Sequence, residues 1–476
     1  MKYLLGADFG TTSLKACLFD ENGKLIVSES AGYNLITEGE FVEFPAEEFY
    51  RVFLSVIKRI TDKYPVYAMS IDTQGETLIA LDKEGKPLTN AIIWLDNRAA
   101  RQAKEIEEKF TLKGIYELTG QAEIPAGYPA PKILWLKENK PEVYNNAAHY
   151  LLLEDYIIYR LTGKLAASRS MYSSSLLMDV NTGEYIPEML DFLGIKKSQL
   201  STLYESGVCV GEYNGIKVMT SALDQVAGIT GAGVVKEGIM SETTGTSLAV
   251  SVLTNNLPKW HENLTVSAYY VKKGLYALLM WAPTAGATLE WFKKNFCERD
   301  NYARLNTLAE SVPKGSEGLI CIPHLCGTVM PENNAKVKGV FFGATLKHSK
   351  GHFVRAIMES IAYTIKEYAD YIGEKTDEIR SMGGGANSKL WCEIKAEVLQ
   401  KRVITLKENE TACLGSAIFA GIGAGIYADT ATAADKIVQK NKEYMPKQNG
   451  YTDLYSEYKK KEKKIMEIYK TEDCNG

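Results

Sequence analysis

The chain has 476 residues, 45% apolar and 24% charged; it reads as a folded globular protein too long for one ordinary core, so two or three domains are expected. A formal net charge of -4 gives no global electrostatic case for a nucleic-acid partner or an anionic membrane surface. No stretch approaches the roughly 18 to 20 uncharged apolar residues of a transmembrane span.

At the start, Met1 to Ala7 is too short an apolar run for a signal peptide, and Asp8 interrupts it. Tyr3 to Ala7 and Leu14 to Phe19 read as strands joined at Gly10-Thr11-Thr12. This stretch has two readings, a plain hairpin or a phosphate cradle, and by itself it does not choose between them. Asp20-Glu21-Asn22-Gly23 is turn chemistry before a third strand at Lys24 to Ser28. Phe49, Val52, Phe53, Val56, Ile57 and Ile60 have the spacing of an amphipathic helix over 46–63. Val66 to Ile71 reads as a strand, broken at Asp72-Thr73-Gln74-Gly75-Glu76 before another at Thr77 to Leu81. Such alternation argues for an α/β domain.

Residues 100 to 200 read as mostly helical, without a strong catalytic signature. Near 218–228 a strand ends in small residues and Asp224 precedes an apolar, glycine-containing helix. Asp224 is a natural N-cap there, and a capping carboxylate at a strand end can also face a cleft. The stretch Glu242-Thr243-Thr244-Gly245-Thr246-Ser247-Leu248 repeats Asp8 to Leu14 in outline: an acid, a glycine and a cluster of hydroxyls. Two such turns suggest a duplicated domain with a cleft between the copies. Gly383-Gly384-Gly385 precedes a helix, where bare backbone can approach an anion or a ribose. Gly421-Ile422-Gly423-Ala424-Gly425 lies in an apolar run and reads as close helix packing rather than a dinucleotide fingerprint. No Walker A sequence occurs. The lysine-rich stretch from Tyr455 to Lys470 reads as a solvated helix with Tyr458, Ile465 and Ile468 as its apolar contacts. The eight cysteines are scattered, with Cys321 and Cys326 the one close pair, and reduced thiols in a cytoplasmic protein are expected.

In order and spacing, D-F-G-T-T-S, A-L-D-Q-V-A-G, T-T-G-T-S and M-G-G-G-A-N-S resemble the FGGY family of carbohydrate kinases. Further matches are Trp94-Leu95-Asp96-Asn97-Arg98, Pro129-Ala130-Pro131-Lys132, Gly339 to Gly343, Glu359 to Tyr363 and Cys413 to Ala417, so the likeness runs from about residue 3 to 430. It implies an α/β, two-domain ribonuclease-H-like fold of the actin/hexokinase ATPase type with an interdomain cleft. The domains implied are 1–232, with the phosphate loop and sugar side, and 233–430, with the nucleotide side. A helical tail, 431–476, would pack on them.

The resemblance also implies roles. Gly10, Thr11, Thr12 and Ser13 would meet the phosphates of ATP, with Asp8 and Asp224 near Mg2+. Gly245, Thr246, Gly286, Glu290, Gly384, Gly385 and Asn387 would contact the nucleotide, although glutamine often stands where this chain has Glu290. Asp224 matches the catalytic base. Gln74, Gly75 and Glu76 align with the acceptor loop, joined by Tyr128, Asp224 and Gln225. Gly75 stands where glycerol kinases carry arginine, Gln74 where xylulokinases usually carry histidine, and Cys326-Gly327-Thr328-Val329 where many members carry G-E-R. Loss of the arginine enlarges the pocket, and Tyr128 sits as in xylulokinases. The expected acceptor is therefore a pentulose such as xylulose. Glycerol or another ketose or polyol is the alternative, and an actin- or chaperone-like ATPase is the alternative from a different class. A small-molecule partner, no nucleic acid and no membrane are expected; a homodimer is left open.

Overall fold

The structure is a computed structural model that describes residues 2–260, 266–447 and 450–471. Two sheets organise it. The first consists of Tyr3–Phe9 (β1), Ser13–Asp20 (β2), Leu25–Gly32 (β3), Val66–Thr73 (β4), Cys209–Tyr213 (β5) and Ile216–Met219 (β6), in the order β5-β6-β4-β1-β2-β3. The second consists of Ile239–Thr244 (β7), Leu248–Thr254 (β8), Val266–Tyr269 (β9), Tyr276–Ala282 (β10), Glu378–Met382 (β11), Arg402–Leu406 (β12) and Lys440–Tyr444 (β13), in the order β9-β10-β8-β7-β11-β12-β13.

The two sheets repeat one plan. In each, a first strand pairs antiparallel with the next (β1/β2 and β7/β8) and parallel with a later strand (β1/β4 and β7/β11). A further parallel strand and an antiparallel edge strand complete each side. The duplication suggested by two turns thus extends over six strands. The acids of the two turns are not equivalent, however. Counting back from the last pairs, Phe9 with Leu14 and Thr244 with Leu248, Asp8 corresponds to Thr243 and Glu242 to Ala7. A strand's side chains alternate between faces, so this one-residue offset sends Glu242 into the domain interior instead of the face Asp8 occupies.

Residues of β1 are almost all buried because the strand is covered on both sides. Leu5, Ala7 and Phe9 pack with Phe49 and Phe53 of the helix Ala46–Thr61 (α1). Leu4 packs with Cys413, Leu414 and Ala417 of a helix contributed by the far end of the chain, Thr411–Gly423. Of the remaining helices four matter for the site: Asp224–Gly231 (α2), Gly286–Phe296 (α3), Lys350–Ile372 (α4) and Lys389–Leu399 (α5). The late helix 411–423 is α6, and the last, Thr452–Thr471, is α7. Residues 100–200 are mostly helical, as their sequence indicates, with short strands between the helices. The strand read at Thr77 to Leu81 is shorter, Ile79–Leu81.

Three glycines permit the central crossing. A Cβ on Gly6 would lie 1.8 Å from the Cys413 carbonyl oxygen, one on Gly231 1.9 Å from that of Thr411, and one on Gly415 1.9 Å from that of Ala227. Helix α6 therefore touches both β1 and α2 backbone to backbone. Gly421 and Gly423 serve packing too, against the Tyr427 ring and against Met219 with the Gly207 carbonyl. Strand β13 completes an edge of the second sheet, and α7 places Tyr458, fully buried, against Tyr363 at 5.0 Å between ring centres. That helix is less solvated than its lysines suggest, although Ile468 is exposed.

We expect Gly415→Ala to destabilise the protein by roughly 3 kcal/mol, because helix backbones must separate to admit one methyl. Gly228→Ala, on α2 where a Cβ meets nothing within 4 Å, should be neutral or stabilising by up to about 1 kcal/mol. Urea unfolding of the two variants checks the contrast.

Candidate active site

The loops singled out in the sequence lie at the carboxyl ends of the central parallel pairs, β1/β4 and β7/β11, where open α/β sheets leave room for ligands. After Asp8 the chain turns at Gly10, whose N–H donates to the Ser13 carbonyl at 3.1 Å. The Tyr33 hydroxyl donates to the Gly10 carbonyl, and the Trp94 indole N–H donates to Thr11 Oγ1 at 3.0 Å. Thr12 and Ser13 are exposed. The hairpin reading and the presentation of a hydroxyl-bearing turn hold together.

The 73–77 loop runs beside this turn. Gln74 N–H donates to the Phe9 carbonyl at 2.8 Å, and Thr73 bridges in parallel to Leu223. Gly75 is pressed onto the same leucine, with 2.7 Å between a Cβ built there and Leu223 Cδ1. Asp224, half-buried, is the first residue of α2, and its Oδ1 accepts the Gln225 N–H at 2.6 Å. Burial pushes its carboxyl up to about 8, with the charges of Asp8 and then Glu76 adding to the effect. Glu76 itself adopts φ 64°, in the left-handed region rarely used by residues with a Cβ. Burial raises its carboxyl as well, opposed by the Ser174 hydroxyl and the Lys132 charge.

Lys132 fixes this corner. Its ammonium donates to the carbonyls of Glu76 (2.8 Å), Ile93 (2.9 Å) and Ile92 (3.1 Å), and burial pulls its pKa down to about 7. The Tyr128 hydroxyl donates to Gln121 Oε1 at 2.8 Å, and that hydroxyl's pKa is raised by burial and then by Glu76. Gly127 beside it lets the chain approach the Trp94 carbonyl, 2.1 Å from a built Cβ. Both polar atoms of the Gln74 amide are buried without a protein partner. The side chain of Gln225 is exposed.

Asp8 is flanked by residues tied to α6. On one side its register partner Asp72, fully buried, accepts from Ser416 Oγ at 2.6 Å, and Ser416 Oγ lies 2.7 Å from Ser221 Oγ. On the other side Lys15, opposite Asp8 on β2, pairs with Glu410 at 2.7 Å. Burial raises the carboxyls of both Asp8 and Asp72.

The second group gathers on the second sheet. Gly286 N–H donates to the Gly245 carbonyl at 2.8 Å, and Ala285 and Ala287 N–H donate to the Thr246 carbonyl at 2.9 and 3.2 Å. Gly383 (φ 73°) and Gly385 close on Thr244, with built Cβ atoms 2.7 Å from its carbonyl oxygen and 2.6 Å from its Cβ. Gly245, Thr246, Gly286, Gly384 and Gly385 thus share one surface. Asn387 ends the glycine loop and is exposed, as is Glu290 one turn along α3. Sequence reasoning missed Asp72 and Ser416. Asp72 looks like a strand breaker, and only the register shows it beside Asp8.

Comparison with known proteins gives the family. The N-terminal domain of the FGGY family of carbohydrate kinases matches residues 3–241 and its C-terminal domain matches 240–424. The chain belongs to that family: it is an ATP-dependent carbohydrate kinase, a phosphotransferase with an alcohol group as acceptor. Filament and chaperone ATPases are thereby set aside. It is 28% identical to the xylulose kinase of Bacillus subtilis (strain 168) over 96% of each chain, and 29% identical to the gluconokinase of the same organism over 90% of this chain and 87% of that one. Among solved structures, ligand-bound xylulose kinase from Lactobacillus acidophilus superposes with a TM-score of 0.88 at 26% identity, over 99% of this chain and 98% of that one. No helix among the described residues is long and apolar enough to cross a membrane.

Lys132→Met would leave three buried carbonyls without their donor, and we expect a loss of about 3 kcal/mol in stability. Thermal melting measures it, and an unchanged melting temperature would contradict the role given to the ammonium.

Proposed function

We propose that the protein transfers the γ-phosphate of Mg-ATP to a hydroxyl of a pentulose such as xylulose, with Asp224 as the general base. The observation that carries this reading is the position of Asp224: it follows Leu223, which bridges to the 73–77 loop, and its carboxyl feels both Asp8 on the phosphate side and Glu76 on the acceptor side. A base must reach both the acceptor proton and the path of transfer. The acceptor would lie against Gln74, Gly75, Glu76, Tyr128 and Gln225. Its hydroxyls would supply the partners that the buried Gln74 amide lacks. The phosphates would meet Gly10, Thr11, Thr12 and Ser13 from one sheet. The nucleotide would meet Gly245, Thr246, Gly286, Glu290, Gly384, Gly385 and Asn387 from the other.

The donor set suits a magnesium ion: Asp8 and Asp224 offer hard carboxylate oxygens, the charge of Asp8 raises the Asp224 carboxyl, and Lys15, the cation that acts on Asp8, is itself paired with Glu410. Bound there, the ion would neutralise charge on the transferring phosphoryl group.

Likeness to gluconokinase makes a sugar acid the second candidate acceptor. Electrostatics favours a neutral one. Glu76 and Asp224 face the acceptor, and Lys132, the cation that Glu76 feels, donates all three N–H groups to backbone carbonyls. A carboxylate entering this corner would meet two acidic groups and a Lys132 ammonium already engaged by backbone carbonyls.

Asp224→Asn should retain ATP binding and lose roughly a hundredfold or more in turnover; near-normal turnover would refute the assignment. The base works deprotonated, so kcat/KM for the acceptor should rise with pH and then level, with magnesium bringing the midpoint below the value of about 8 that burial gives the carboxyl on its own. A coupled ADP-release assay over D-xylulose, gluconate and glycerol tests the acceptor, with D-xylulose expected to give the highest kcat/KM.

A further inference from the structure

Beneath the second group of loops lies an ion pair for which phosphoryl transfer has no direct use. Glu242 on β7 and Lys395 on α5 are both fully buried. The Lys395 ammonium donates to Glu242 Oε1 at 2.6 Å, Thr244 Oγ1 at 2.9 Å and Ser381 Oγ at 3.4 Å. Thr244 Oγ1 donates to Glu242 Oε2 at 2.7 Å, and the Ser381 hydroxyl donates to Glu242 Oε1. Every donor of the ammonium and both carboxylate oxygens are engaged.

A buried pair of this kind is weak support for stability, since apolar side chains of similar volume commonly do as well. What it supplies is direction. It joins the ends of the elements that bear the glycine loops: Thr244 precedes Gly245-Thr246, Ser381 precedes Gly383–Gly385, and α5 receives the chain after Asn387. Gly385 rests directly on the cluster, its built Cβ 2.6 Å from Thr244 Cβ and 3.2 Å from Lys395 Nζ.

We propose that Glu242 and Lys395 are positioning residues of the nucleotide side, holding the Gly245-Thr246 turn and the Gly383–Gly385 loop at one separation so that a single nucleotide spans both. This rests on the nucleotide reading of those loops.

The test uses the full chain with MgADP as probe. Glu242→Leu combined with Lys395→Met removes the pair without leaving a lone buried charge, so the melting temperature should stay near that of the unaltered protein. MgADP affinity, by calorimetry, and the KM for ATP should each worsen about tenfold, while the KM for the acceptor sugar stays within about twofold. MgADP affinity within about twofold of the unaltered protein, or an equal loss for sugar and nucleotide, would overturn the proposal. Should the double variant not fold, the near-isosteric Glu242→Gln decides: weaker MgADP binding at constant sugar KM supports the pair, and unchanged binding of both refutes it. Failure of the unaltered protein to bind MgADP would instead refute the nucleotide reading itself.

Discussion

The contact on which the rest of the structure depends is the crossing of α6 with β1 and α2. Gly6, Gly231 and Gly415 bring backbone against backbone there, at distances no side chain could occupy. Because the helix lies so close, Ser416 can reach Asp72, and Glu410, just before the helix, can reach Lys15. Those are the two neighbours of Asp8 across the strands. A steric allowance at three glycines thereby becomes an electrostatic setting at a carboxylate.

That setting is unusually rich in negative charge. Asp8, Asp72, Asp224 and Glu76 raise one another's carboxyls or have them raised by burial. Such crowding costs stability, since buried like charges disfavour ionisation. The proposed magnesium ion and acceptor proton would make use of that cost, because their binding would relieve repulsion as well as form contacts. Under the glycine loops of the second sheet the arrangement is the reverse: Glu242 and Lys395 neutralise each other out of reach of solvent.

Much of this was legible in the chain, and what was not had a common cause. The opening hairpin, the helix near 46–61 and the duplicated turns are local patterns of period, turn chemistry and repetition, which a sequence displays directly. The family resemblance pointed to Asp8 and Asp224 together, and the charge of Asp8 does act on Asp224. What stayed hidden depends on register and on contacts distant along the chain. Glu242 looked like the counterpart of Asp8, yet a one-residue offset in pairing turns it inward to Lys395. Asp72 looked like turn chemistry, and only its alignment on β1 and its bond to Ser416, 344 positions away, reveal its place. Tyr458, by contrast, was legible among its lysines as an apolar contact, and it is fully buried.

Docking of α6 on the first sheet also bears on how the protein is made. Leu4, Cys17 and Phe19 are covered by residues 413–420 and beyond, so these strands await a helix made roughly 400 residues later. At translation rates of about 5 to 20 residues per second, that face stays uncovered for tens of seconds. The first sheet therefore emerges from the ribosome with an open apolar side, and its folding cannot finish until α6 has followed it out. Isolated, it would expose that same surface, which makes the two halves partners in folding and not independent modules joined by a linker.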